Sequence, residues 1–147
     1  MIILGIDPGT AITGFAVIQK QNTSSQYPKV IDFGCIVTDK SLSAGERLRL
    51  IHQEVEALIK LHQPNLLSVE NIYFFKNLKT VMPVSQAKGV ILLAAAQKNI
   101  PISEFTPLQV KMTVVGYGRA EKKQVQKMAK ELLDLSEFDF KEKHRKK

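Results

Sequence analysis

The chain has 147 residues, of which 44% are hydrophobic, so it can build the core of one domain but not of two large ones. Its net charge is +7, and residues 141–147 hold five basic residues and one acidic residue, which leaves +3 for the rest of the chain. This distribution permits binding to a polyanion without requiring it.

Several classes of protein are excluded at the outset. The single cysteine, Cys35, cannot form an intramolecular disulfide, and the three histidines lack the paired spacing of a zinc site. The N-terminus does not resemble a signal peptide, and no window approaches the roughly 20 apolar residues of a membrane span. The sequence therefore predicts a cytoplasmic protein with no membrane contact.

The first 40 residues predict three consecutive β-strands. Residues 2–6 are an apolar run that stops at Asp7-Pro8-Gly9-Thr10, which is typical of a strand ending in a tight turn. Strands are also predicted at residues 13–19 and 30–38, with a polar connector between them. Three strands in succession favour an antiparallel meander.

A helix and a buried strand follow. Ser43 and Glu46 form a capping-box pattern, and apolar residues then recur on one helical face until Pro64. That face comprises Leu48, Ile51, Val55, Leu58 and Ile59. Residues 66–69 are short and apolar, so they predict a buried strand that presents Glu70 at its carboxyl end.

The remainder alternates helices with one more strand. A helix is expected within residues 81–98, with Pro83 in its first turn, and a strand at 102–105. A helix over 107–115 begins at the cap Thr106 and ends at Gly116. A last helix, about 120–135, is expected to bury its apolar face, which comprises Val125, Met128, Ala129, Leu132 and Leu133.

Two acidic residues are placed where α/β sheets usually carry their chemistry. Asp7 and Glu70 each end an apolar strand, and ligands bind at the carboxyl ends of strands in such folds. Paired carboxylates suit Mg²⁺, which prefers oxygen ligands and retained waters. Asp7 could instead cap the turn that contains Pro8 and Gly9.

The same turn allows a second interpretation. An acid, a glycine and a hydroxyl at positions 7–10 also describe the phosphate-binding loop of actin-like sugar kinases and ATPases. Those folds use two such domains to enclose a nucleotide, whereas 147 residues supply one. The length therefore argues against this class.

Two further segments have the composition of a nucleic-acid-binding surface. Residues 71–77 place three consecutive aromatics and Lys76 directly after Glu70, and an outward aromatic could stack on an unpaired base. Lys111, Arg119 and Lys122 flank the glycines at 116 and 118, which could approach a phosphate closely. Both segments have plainer interpretations, namely loop aromatics packed beneath a helix and a solvated lysine face.

These blocks together resemble one family, the RuvC Holliday-junction resolvases of the RNase H-like superfamily. The resemblance covers about residues 1–135 and depends on five blocks in the same order. They are residues 3–10 (ILGIDPGT) with 13–14 (TG), 69–70 (VE), 76–77 (KN), 85–90 (SQAKGV), and 109–116 (QVKMTVVG) with 120–122 (AEK). One block alone would be a weak signal, whereas the ordered set is specific.

The resemblance implies a fold and an activity. The fold would be α/β and RNase H-like, with a five-stranded mixed sheet flanked by helices. The protein would be a homodimeric, Mg²⁺-dependent endonuclease, with Mn²⁺ as a possible substitute, that nicks four-way DNA junctions in pairs and leaves 5′-phosphates. Its family partners would be the branch-migration motor proteins RuvA and RuvB, and its role would be in recombination and repair.

The resemblance also implies roles for individual residues. Asp7 and Glu70 would be catalytic metal ligands. Tyr73 matches an aromatic position that stacks at the opened centre of the junction. Lys111 and Lys122 match positions that contact phosphates near the scissile bond. Further candidates for DNA contact, Lys76 and Arg119, lie in or beside the matching blocks.

The C-terminus departs from the family pattern. The family continues into a last helix with two acidic positions, but here residues 136–147 form a basic tail after a nuclease domain at 1–135. Glu142 and Arg145 align with those positions, and an arginine cannot bind Mg²⁺. The expectation is that the last family helix is missing. The alternatives are therefore a junction-binding protein with impaired or no cleavage, a related nuclease acting on RNA, or an unstable fragment.

Overall fold

The structure is a computed structural model that describes residues 1–20, 27–71, 78–135 and 144–145. Its sheet contains five strands of ordinary length and one of two residues. They are β1 (Ile2–Asp7), β2 (Ile12–Gln19), β3 (Lys29–Val37), β4 (Leu66–Glu70), β5 (Ile102–Phe105) and β6 (His144–Arg145). In the sheet they lie in the order β5-β4-β1-β2-β3-β6.

The pairing confirms the predicted meander and mixed sheet. β1, β2 and β3 are antiparallel neighbours, whereas β4 is parallel to β1 and β5 is parallel to β4. The connections that lead to β4 and to β5 are crossovers, as parallel pairing requires, and each contains a helix. The short β6 adds a parallel partner to β3 at the far edge.

In the described ranges, four helices accompany the sheet: α1 (Ala44–His62), α2 (Leu78–Gln97), α3 (Pro107–Val115) and α4 (Lys122–Leu132). The predicted capping box of α1 is present, because the Ser43 amide donates to the Glu46 carboxylate (2.8 Å) and the Glu46 amide donates to the Ser43 hydroxyl (3.3 Å). α3 begins at its Thr106 cap and ends at Gly116, whose φ of 74° suits a glycine.

Two expectations about the helices are wrong. α2 begins at Leu78 rather than at residue 81, so Pro83 lies inside the helix and not in its first turn, where it cannot donate the usual backbone hydrogen bond. The apolar face of α4, from Val125 to Leu133, is only half-buried. The reason is that α4 packs against α3, a helix with no buried residue of its own.

The core lies on one face of the sheet, beneath α1 and α2. Alternate strand residues such as Leu4, Ile6 and Leu67 point toward these helices and are almost completely buried. From α2, the small residues Ala87, Ala94 and Ala95 are completely buried and let the helix approach α1 closely. Because this face is filled by the core, the opposite face is the one available for a site.

None of the helices in the described ranges is long and apolar enough to cross a membrane.

Candidate active site

Asp7 lies at the carboxyl end of β1, on the face of the sheet opposite the core. Side chains alternate along a strand, and Leu4 and Ile6 face the core, so Gly5 and Asp7 face the other way. Asp7 is therefore the last residue of an apolar strand, but its side chain lies outside the core. The end of the strand thus presents a carboxylate to solvent.

Glu70 lies beside Asp7 because β4 is parallel to β1. The register pairs Ile6 with Val69, so the next residue of each strand, Asp7 and Glu70, lies at the same edge and on the same face. The two carboxyl groups are close enough to share a hydrogen bond. The structure therefore brings the two predicted acids together.

The turn after Asp7 is tied back to neighbouring strands. The Thr13 hydroxyl donates to the Gly9 carbonyl (2.6 Å), and the Thr38 hydroxyl donates to the Thr10 carbonyl (2.5 Å). Thr13 and Thr38 are both buried, so these bonds are made away from water. The turn is thereby fixed, and so is the direction in which Asp7 leaves its strand.

The two acids line an open cleft of about 280 Å³. The same face of the sheet carries small residues on three adjacent strands, and Phe105 and Val110 contribute apolar walls. The small residues are Gly5, Gly14, Ala16 and Ser68. Neither this floor nor these walls were predicted from the sequence, although small residues at alternate positions of a strand that ends in an acid were a visible signal.

The pKa values of both acids are raised. Protein atoms crowd the two carboxyl groups, and the resulting desolvation is the main cause for Asp7 and for Glu70. The negative charge of Asp7 raises the pKa of Glu70 further, whereas the ammonium of Lys122 acts in the opposite direction on Asp7. Two carboxylates held close together repel each other, and a bound cation would relieve that repulsion.

The donor set fits a hard divalent cation. Carboxylate oxygens on two adjacent strands can hold one side of such an ion, and the open cleft leaves room for water and phosphate oxygens on the other. In the described ranges, no group of three or more His, Cys, Asp or Glu side chains surrounds a single point. Within those ranges the site therefore offers two protein carboxylates.

The predicted basic residues occupy different positions. Lys122, the first residue of α4, lies close enough to Asp7 to affect its pKa. Lys111 is half-buried and lines a separate pocket of about 290 Å³ with Pro107 and Gly118, and Arg119 is exposed on the segment before α4. Of the three, Lys122 is the residue whose charge lowers the pKa of Asp7.

Other predicted residues cannot be placed at this site. Tyr73, Lys76 and Glu142 lie outside the described residues. The backbone of Arg145, which aligns with the second missing acid, pairs with Ile36 of β3. Arg145 belongs to β6, which is three strands away from β1 in the sheet, roughly 14 Å at the usual spacing of strands. The main chain at Arg145 therefore lies away from Asp7.

Sequence comparison gives a clear family match. A model of the family described as crossover junction endodeoxyribonuclease RuvC matches residues 3–142. The chain is 46% identical over 138 residues to RuvC of Fusobacterium nucleatum, which covers 94% of this chain and 71% of that protein. It is 50% identical over 138 residues to RuvC of Halothermothrix orenii, covering 94% and 82%.

Comparison with solved structures agrees. Thermus thermophilus RuvC matches with a TM-score of 0.85 and 28% identity over 95% of this chain and 84% of that one. The same protein in complex with a Holliday junction substrate matches with a TM-score of 0.85 over 93% and 82%. The yeast mitochondrial resolvase Ydc2, at 15% identity and a TM-score of 0.63 over 90% and 60%, shares the fold alone. These matches confirm the predicted RNase H-like fold.

Proposed function

Because the chain belongs to the RuvC family of crossover junction endodeoxyribonucleases, we propose that it resolves four-way DNA junctions at the cleft of Asp7 and Glu70. The observation that supports this assignment is the placement of the two acids side by side on parallel strands, facing an open cleft. The family consists of metal-dependent nucleases, and we propose Mg²⁺ as the ion, with Mn²⁺ able to replace it.

In this proposal the protein supplies orientation and charge. A bound Mg²⁺ would lower the pKa of the attacking water and stabilise the charge on the leaving oxygen. Asp7 and Glu70 would hold the ion with their carboxylate oxygens, a role that requires both groups to be ionised. The small residues of the cleft floor leave space for a DNA phosphate to reach both acids.

We propose that basic and aromatic residues around the cleft bind the junction. Lys122 neutralises a phosphate near Asp7, while Lys111 and Arg119 extend the contact across α3 and the start of α4. Tyr73 would stack on a base at the junction centre, with Lys76 on a nearby phosphate. The similarity to Thermus thermophilus RuvC, whose structure in complex with a Holliday junction substrate is known, supports DNA rather than RNA as the ligand.

Paired nicks require two active sites, and we propose that a homodimer supplies them. The outer face of α2 carries Met82, Gln86, Gly89 and Leu93 at helical spacing, and Met82 and Leu93 are 63% and 50% exposed. An exposed stripe of this kind suits contact between two copies of the helix. We further propose that the enzyme acts in the cytoplasm beside the RuvA and RuvB motor proteins.

The alternative is a protein that binds junctions without cutting them. The observation that favours it is that only two carboxylates meet at the cleft within the described residues. In that case, Glu142 and the rest of the basic tail would add nothing to the metal site.

A nicking assay distinguishes a junction-cleaving enzyme from a protein that only binds junctions. The chain is incubated with a mobile four-way junction in Mg²⁺ or Mn²⁺, and junction binding is followed by gel shift. We expect symmetric nicks with 5′-phosphates, a loss of nicking by at least about 1000-fold in Glu70→Gln, and unchanged nicking in Glu131→Gln, an exposed acid of α4. Tight binding without nicks in either metal would support the alternative. Nicking that survives Glu70→Gln would remove Glu70 from the site.

A further inference from the structure

The ammonium of Lys88, a largely buried side chain of α2, makes two polar contacts. Its side chain is only 12% exposed, and its ammonium donates to the Asn71 side-chain oxygen at 2.7 Å and forms an ion pair with Glu104 of β5. A lysine so shielded needs partners for its charge. These partners come from two different segments, the residue after β4 and the middle of β5.

The two contacts lie on the face of the sheet opposite the cleft. The register pairs Val69 with Glu104 and Glu70 with Phe105. Since side chains alternate along a strand, Glu104 shares the core face with Val69, whereas Glu70 and Phe105 share the cleft face. Lys88 therefore contacts the end of β4 and the neighbouring β5 from the core face of the sheet.

Asn71, the residue after Glu70, connects the contacts of Lys88 to the active site. Its amide donates to the Phe105 carbonyl at 2.7 Å, and its side chain accepts from Lys88. The residue after Glu70 is thus held by its main chain to β5 and by its side chain to α2. With Asn71 held toward α2, alternation directs Glu70 toward the cleft.

We propose that Lys88 is a positioning residue: by holding Asn71 and Glu104 on the α2 face, it keeps the Glu70 carboxylate directed into the cleft beside Asp7. This role rests on the proposed function, since it consists in presenting Glu70 to a metal ion. Lys88 is not among the residues that line the cleft, so its effect passes through Asn71.

The test compares matched substitutions. Lys88→Met keeps the length of the side chain and removes its charge, and Lys88→Arg keeps the charge and the donors. Lys98→Met makes the same change at an exposed lysine beyond the end of α2. Mn²⁺ binding to the protein alone is measured from the electron paramagnetic resonance signal of the free ion, without DNA or turnover.

We expect Lys88→Met to weaken Mn²⁺ binding at least fivefold and to raise the Mg²⁺ concentration for half-maximal nicking by a similar factor. Lys88→Arg recovers most of the affinity, Lys98→Met resembles the parent, and metal-free junction binding changes less than twofold in all of them. A lysine that served only stability would lower the melting temperature and leave the metal affinity of the folded protein unchanged.

The outcomes are distinct. Parent-like Mn²⁺ affinity in folded Lys88→Met overturns the positioning role and leaves the nuclease proposal intact. Mn²⁺ binding without nicking by the parent chain overturns the nuclease proposal, and the comparison of variants still decides the role of Lys88. No Mn²⁺ binding by the parent overturns both. If Lys88→Met fails to fold, Asn71→Ala removes the same hydrogen bond from the other side, and its Mn²⁺ affinity decides.

Discussion

Gly14 of β2 lies directly opposite Asp7 of β1, and a Cβ on Gly14 would stand 3.7 Å from the Asp7 Cβ. That distance is an ordinary van der Waals separation, so an alanine fits, whereas any larger side chain would extend over the Asp7 carboxyl group. The absence of a side chain at this position keeps the floor of the cleft open. Access to Asp7 thus depends on a residue of the neighbouring strand.

The closeness of Gly14 to Asp7 predicts that nicking falls as the side chain at position 14 becomes larger. Gly14→Ala should retain most nicking, and Gly14→Val should lose at least tenfold, because its branched carbons obstruct the metal and phosphate positions next to Asp7. Valine suits a strand, so the melting temperature of Gly14→Val should stay close to that of the parent. Nicking rates and thermal unfolding measured on both variants check this. Full activity in Gly14→Val would show that the phosphate approaches from elsewhere.

Gly9, in the turn after Asp7, has much less space. A Cβ there would lie 2.1 Å from the Ile12 carbonyl oxygen, a backbone atom that cannot move aside cheaply. We expect Gly9→Ala to destabilise the protein by about 2 kcal/mol or more in urea unfolding. Gly45→Ala is the matched control: it lies in the first turn of α1 with nothing within 4 Å, and it should stabilise by up to about 1 kcal/mol. Equal effects at both positions would contradict this steric explanation.

The raised pKa values predict how stability depends on pH in the absence of metal. A folded state that raises the pKa of Glu70 binds its proton more tightly than the unfolded chain does. Stability therefore falls as pH rises from the ordinary glutamate pKa through the raised one. Glu70→Gln removes this cost, so in EDTA at pH 7 it should melt above the parent, with the difference shrinking toward pH 4. A lower melting temperature at pH 7 would contradict the assigned sign.

The basic residues predict a change in salt dependence. Replacing Lys122 with Met should weaken junction binding and reduce the slope of log affinity against log salt by about 0.9 for each phosphate that Lys122 neutralises. Lys98→Met, on an exposed lysine beyond α2, should leave the slope unchanged. Gel shifts at several salt concentrations measure both. An unchanged slope in the Lys122 variant would place this side chain off the DNA.

The exposed stripe on α2 predicts the oligomeric state. Leu93→Lys puts a charge in the middle of the proposed interface and should convert a dimer to a monomer in light scattering, with loss of paired nicks. Leu61→Lys is the control, since Leu61 of α1 is 63% exposed and lies off the stripe. A dimer that persists in Leu93→Lys would exclude this face as the interface.

The sequence by itself determined the order and type of the elements. Short apolar runs bounded by turn residues predicted β1 to β5, and the caps at Ser43 and Thr106 predicted where α1 and α3 begin, because these signals act over a few neighbouring residues. The positions of Asp7 and Glu70 at the ends of apolar runs identified them as candidate acids, and the family blocks then agreed. The start of α2 and the half-buried face of α4 were missed, since burial depends on which element packs alongside.

Only the tertiary structure decided how distant residues combine. The pairing of Ile6 with Val69 brings Asp7 and Glu70 together across 63 residues of chain, and no local pattern encodes that register. The same long-range pairing brings the small residues of the cleft floor together and allows the hydrogen bond from Lys88 to Asn71. A strand pattern specifies which face a side chain takes, but its neighbours on that face are set by how the strands align.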